Sequence, residues 1–239
     1  MASADAVSEP VEPPPTAVRF PDPRRATRDV LAVGTDFRAG TLLAAYRQGI
    51  FPWPQGSGHE GDLVAWFSPD PRTLMPLDAI HWSRSLRRTL RQNAWTITVD
   101  AAFPSTMLAC GDREEGTWIT PEVIAGYTRL HELGWAHSLE VWEDRELVGG
   151  IYGVAIGASF AAESMFHRRT DASKVAFATL AENLRDAGYA IFDAQVMNPH
   201  LESLGCVEIP RAEYLKRLAR AIATTPKSPI HSWKRQLRP

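Results

Sequence analysis

The sequence predicts an α+β protein in which a mixed α/β sheet is flanked by helices, and three observations carry that prediction. Trp95, Ile97 and Val99 in "WTITVD" alternate with polar residues at the two-residue period of a half-buried strand. "TPEVIAGYTRLHELG" and "DASKVAFATLAENLRDAGY" instead keep the helical period and carry capping residues at their ends. The order is strand, helix, helix, three consecutive strands, helix, strand, helix, which interleaves the helices with one sheet.

Each element has its own reason. Residues 1–27 are rich in proline and poor in periodic apolar residues, so we expect a disordered tail. A small N-terminal domain is expected over 28–85. It starts with a helix in "TDFRAGTLLAAYRQG" that Gly49 closes, followed by a long loop with short extended pieces, where prolines forbid helix. The second domain, expected over 86–239, holds the strand at Trp95 and a helix reaching about Cys110. Its next helix has Thr120 as N-cap, Pro121 at the first turn and Gly134 past the last. "AHSLEVWEDRELVGGIYGVAIGASFAAES" reads as three strands turning near Glu143 to Arg145 and at Gly157. A helix from Asp171, the strand "AIFDAQ", a short helix, "CVEI" and a last helix from about Arg211 complete the chain.

Composition removes several classes of function. The chain has 239 residues, enough for one large core or two unequal ones. No run approaches the roughly 20 apolar residues of a membrane span, and the first residues lack a signal-peptide pattern, so a cytoplasmic protein is expected. Cys110 and Cys206 form no CxxC pair and the histidines form no HExxH, so no metal is expected. Net charge of −2 argues against indiscriminate nucleic-acid binding. Within "WSRSLRRTLRQN", however, Arg84, Arg87, Arg88 and Arg91 stand without an acid among them, as candidate phosphate contacts or as a solvated basic face.

Chemistry is sought where polar groups leave strands. Asp193 and Gln195 are two apart in "AIFDAQ" and share one face; Glu163 ends "ASFAAES". If those strands are neighbours, the three side chains share a cleft, and a carboxylate beside an amide can orient an amine and receive its proton. Read alone, Asp193 equally caps a turn while Gln195 satisfies backbone groups. Phe160, Met165, Phe177 and Phe192 read alone as ordinary core.

The blocks "AYRQGIFPWP", "WFSPDPR", "DREEGTWIT", "LHELGWAHSLEVW", "LVGGIYGVAIG", "ESMFHRRTDASKVA" and "DAQVMNPHLESLG", in this order, resemble the leucyl/phenylalanyl-tRNA protein transferase family over roughly residues 29–215. The resemblance implies a small N-terminal domain beside an acetyltransferase-like (GNAT-like) domain, without metal, CoA or other cofactor. It implies transfer of leucine or phenylalanine, and less readily methionine, from aminoacyl-tRNA to proteins with N-terminal Arg or Lys, marking them for the bacterial N-degron pathway. It further implies that Glu163 helps hold the incoming N-terminus, while Asp193 and Gln195 act on the attacking amine. Phe160, Met165, Phe177, Leu180 and Phe192 would line the aminoacyl pocket, and Trp53 and Trp118 would sandwich the terminal tRNA adenosine. The four arginines would then meet tRNA phosphates.

Two rivals remain at this level. An acyl-CoA N-acetyltransferase is weakened because "MFHRRTDASK" lacks the glycines of a pyrophosphate loop. An adaptor binding basic N-termini without catalysis predicts binding and no product.

Overall fold

The structure, a computed structural model, describes residues 9–34, 36–54, 64–92, 95–113, 117–233 and 236–237. A three-stranded antiparallel sheet comes first, with β1 (Val30–Gly34), β2 (Phe51–Pro54) and β3 (Val64–Phe67) in the order β1-β3-β2. The second sheet is eight-stranded, in the order β10-β4-β9-β8-β7-β6-β5-β11. Its strands are β4 (Arg72–Met75), β5 (Thr96–Val99), β6 (Ala136–Glu143), β7 (Glu146–Ile156), β8 (Ser159–His167), β9 (Ile191–Gln195), β10 (Val207–Ile209) and β11 (Gln236–Leu237). Every pairing in it is antiparallel except β8 with β9. A parallel pair needs a crossover, and α5 (Ala172–Ala187) supplies it.

The helices cover both faces. α5 and α2 (Arg84–Gln92) pack on one side, where Phe177, Leu180 and Leu184 meet Leu139 and Val141 of β6 and Phe192 of β9. α1 (Ala39–Tyr46), α3 (Phe103–Gly111) and α4 (Pro121–Glu132) cover the other, around Tyr127, Tyr152 and Val154. Between α6 (Pro199–Ser203) and the last helix, α7 (Arg211–Ile222), runs β10; α7 seals β4 and β9 with Tyr214 and Leu218. The Thr120 hydroxyl accepts from the Val123 amide, and Gly134 sits at φ 81° beyond α4, as the capping residues require.

Three expectations change. The first helix is shorter than "TDFRAGTLLAAYRQG", running only over Ala39–Tyr46, while the short extended pieces expected after it are β2, β3 and β4. β1 and β11 have no expected counterpart. Residues 9–27 are not a disordered tail. Val11 N donates to Leu133 O at 2.8 Å, Trp135 Nε1 donates to Val11 O at 2.8 Å, Thr16 and Thr41 share a hydroxyl bond of 2.7 Å, and Phe20 packs edge-on against Trp66. Prolines already hold this stretch extended, so laying it on the body costs little further backbone entropy, and its peptide groups find partners that composition alone does not reveal. Residues 1–8, and 55–63 of the loop between the two tryptophan-bearing motifs, lie outside the described residues.

Candidate functional site

β8 and β9 pair only from Ser159/Ile191 to Ala161/Asp193 and then part. Both strands are irregular there. Gly153 faces Ala162 while Tyr152 faces Ser164, so Glu163 is an extra residue bulged out of β8. Thr73 faces Gln195 while Leu74 faces Asp193, so Ala194 is extra in β9, and Gln195 takes the left-handed conformation at φ 65°. Bulges of this kind re-aim side chains, and the gap they open is a cleft of about 850 Å³.

Glu163 and Gln195 meet in this gap, with Gln195 Nε2 donating to Glu163 Oε1 at 2.6 Å. The other carboxylate oxygen of Glu163 accepts from the Tyr127 hydroxyl at 2.9 Å, and Tyr127 shares a 2.5 Å hydroxyl bond with Tyr46. Burial pushes Glu163 up to about 8; the phenols and Gln195 oppose the shift, and the negative charge of Asp193 adds to it. The Tyr46 and Tyr127 phenols are likewise raised by burial.

Asp193 stands behind them, wholly buried. Its oxygens accept from Arg72 Nε at 2.8 Å, Arg72 Nη2 at 2.5 Å, the Tyr214 hydroxyl at 2.8 Å and the Gln195 amide at 3.0 Å. Arg72 is held in turn between the rings of Phe51 and Tyr214 and donates to Gly49 O. A charge pair this deep is tolerated because both carboxylate oxygens and all three guanidinium nitrogens have partners. It fixes the left-handed turn that aims Gln195.

The structure separates the expected pocket residues into two sets. Met165 and Phe177 line the cleft; Phe160, Leu180 and Phe192 do not, and are core residues, with Phe192 stacked on Phe177 at 4.7 Å and edge-on to Phe160 at 5.9 Å. Trp53, 44% exposed, and the half-buried Trp118 both stand at the cleft. Arg84, Arg87, Arg88 and Arg91 form a separate, exposed basic hollow on α2. Sequence reasoning missed Arg72, Tyr214, Tyr46 and Tyr127. The signal for Arg72 was a lone cation opening the apolar run "RTLM"; the tyrosines gave none, being spaced like any core aromatic. Among the described residues, no group of three or more His, Cys, Asp and Glu stands together as a metal site.

A family model described as leucyl/phenylalanyl-tRNA protein transferase matches residues 74–219, and one described as the N-terminal domain of that transferase matches residues 35–70. A protein of that name from Shewanella baltica is 46% identical over 88% of this chain and 89% of its own length. Namesakes from Idiomarina loihiensis and Stutzerimonas stutzeri are 44% and 50% identical, over 92% and 84% of this chain and 93% and 89% of theirs. Among solved structures, the C-terminal domain of a lysylphosphatidylglycerol synthetase from Agrobacterium fabrum aligns over 83% of this chain and 64% of that one, at 14% identity and a TM-score of 0.36, too slight a likeness to argue from.

Proposed function

The chain belongs to the leucyl/phenylalanyl-tRNA protein transferase family, and from that membership we propose how its cleft carries out aminoacyl transfer. The enzyme takes leucine or phenylalanine from aminoacyl-tRNA and joins it to the N-terminus of an acceptor protein. The acceptors in our reading begin with Arg or Lys, methionine is a poorer donor, and the product enters the bacterial N-degron pathway.

One observation carries the assignment of roles. Gln195 commits its amide nitrogen to Glu163, so its amide oxygen, which has no hydrogen bond among the described residues, is free to take one from an attacking amine. Asp193 acts from behind, by accepting from the backbone N–H of Gln195 and so holding the strand end. An aminoacyl ester is already activated, so alignment of amine and carbonyl supplies much of the acceleration, up to several kcal/mol. Met165, partly exposed, and the fully buried Phe177 line the side-chain pocket, with Phe160, Leu180 and Phe192 stiffening it from the core. Trp53 and Trp118 stack on the terminal adenosine, and the α2 arginines meet tRNA phosphates.

The two separate sheets support a two-domain division. Because β4 already belongs to the larger sheet, the boundary we propose falls near residue 70 instead of 85. A parallel pair joined by α5 and splaying open at its end supports an acetyltransferase-like larger domain. The test is direct: purified protein, Phe-tRNA and an Arg-initiated peptide should yield a Phe-Arg bond. Binding of both substrates without product would sink the enzymatic reading.

A further inference from the structure

Gly149 of β7 lies opposite His167 of β8, and a Cβ on that glycine would stand 2.6 Å from the Cβ of Ala172. Its bareness lets the start of α5 sit directly on the sheet at the edge of the cleft. No side chain caps that start. Asp171, the N-cap residue, takes the left-handed conformation at φ 68° and accepts from Lys174 Nζ at 2.7 Å instead of from the helix amides, and the first turn holds no acid. The backbone N–H groups of Ser173 and Lys174 have no acceptor among the described residues. Ser173 lines the cleft, is only 5% exposed, and its hydroxyl has no hydrogen bond among the described residues.

Cations gather around this end of the helix. His167 at the end of β8, Arg168 just beyond it and His200 of α6 line the same cleft. His200 is lowered from its ordinary value by burial first and then by the charges of Lys174 and His167, which places these three together. The acid beside them, Asp171, is bonded to Lys174. Of the other carboxylates at the cleft, Asp112 closes α3, and Glu163 is four residues back along β8, on the order of 10 Å from His167.

Resting on the transferase reading above, we propose that the start of α5, with Ser173, Lys174, His167, Arg168 and His200, is a phosphate subsite that holds the phosphodiester on the 5′ side of the terminal adenosine of aminoacyl-tRNA. Unsatisfied N–H groups at the positive end of a 16-residue helix suit an anion. The same charges repel an acceptor that begins with Arg or Lys, which leaves the donor as the source of the phosphate. Phe177, at the side-chain pocket, is four residues beyond Ser173 and shares its face of α5, about 6 Å along the axis. One helix face therefore offers the donor its side-chain pocket and, one turn earlier, a seat for its phosphate. Because α2 packs on the same side of the sheet as α5, the track continues toward the α2 arginines.

The experiment titrates the full chain by calorimetry, at low salt, with two non-hydrolysable donors. One is 3′-phenylalanylamido-3′-deoxyadenosine with its 5′-hydroxyl; the other carries a methyl-capped 5′-phosphate, which has the single charge of a phosphodiester. Neither carries the further phosphates assigned to α2. Wild type is expected to bind the phosphorylated compound at least about tenfold more tightly. Ser173→Ala, Lys174→Met and His200→Gln are each expected to reduce that ratio by at least about threefold. An equal loss on both compounds leaves the ratio unchanged and overturns the proposal. Equal affinity of wild type for the two overturns it without any variant having to fold. CoA offers phosphates of the same chemistry, and tighter binding of CoA than of the phosphorylated donor would give the subsite to another carrier; variant effects confined to KM for an Arg-initiated peptide would give it to the acceptor. Failure of wild type to bind either compound would sink the transferase reading itself and the subsite with it.

Discussion

Arg72→Leu should be among the most damaging single substitutions in the chain, although Arg72 is not expected to touch either substrate. Its side chain is 1% exposed and its partner Asp193 is 0% exposed. The change deletes two charge-assisted bonds to the carboxylate, one to Tyr214 and one to Gly49 O. It leaves a buried negative charge with only the Tyr214 hydroxyl and the Gln195 amide. Removing one member of a buried pair costs about 3–5 kcal/mol, which for a chain of this size lowers the melting temperature by about 6–20 °C at about 2–4 °C per kcal/mol. Urea unfolding of wild type, Arg72→Leu, Asp193→Leu and the double variant would measure it. Because the penalty is the stranded charge and not the lost pair, the double variant should be more stable than the sum of the singles predicts, by at least about 1.5 kcal/mol. Additive losses, or a cost below about 1 kcal/mol for Arg72→Leu, would refute the reasoning.

Other outcomes follow from the same geometry. Trp53→Ala should weaken tRNA binding in a fluorescence titration by about 1–3 kcal/mol, since the exposed indole is offered as a stacking face. Arg88→Ala should reduce the slope of log affinity against log salt by about 0.7–0.9, the signature of one lost phosphate contact. Gly40→Ala should release the N-terminal strap, because a Cβ there would overlap the Pro14 carbonyl oxygen; trypsin should then cut faster at Arg19, Arg24 and Arg25.

What the sequence disclosed and what it concealed divide along a physical line. α4 was legible because Thr120, Pro121 and Gly134 are local signals, and β6, β7 and β8 because their turns carry positive-φ residues at Asp144, Arg145 and Gly157. The meeting of Glu163 with Gln195 was legible as two strand ends rich in polar groups. β4 was not, because a short strand whose partners lie far away leaves no local period to read. Arg72 and Asp193 are 121 positions apart, and only the closed sheet explains why a cation belongs there. The N-terminal strap was hidden for a related reason: its backbone bonds end on Leu133 and Trp135, far along the chain.

That placement of β4 has a consequence for biosynthesis. The strand leaves the ribosome early, yet both its neighbours, β9 and β10, are made near the end, whereas β5 through β8 can zip as a meander while translation continues. A nascent chain therefore carries "RTLM" without partners until the last third of the protein emerges, and the turn that aims Gln195 is completed by residues from both extremes of the polypeptide. Truncated or stalled products would keep much of their secondary structure and have no working centre.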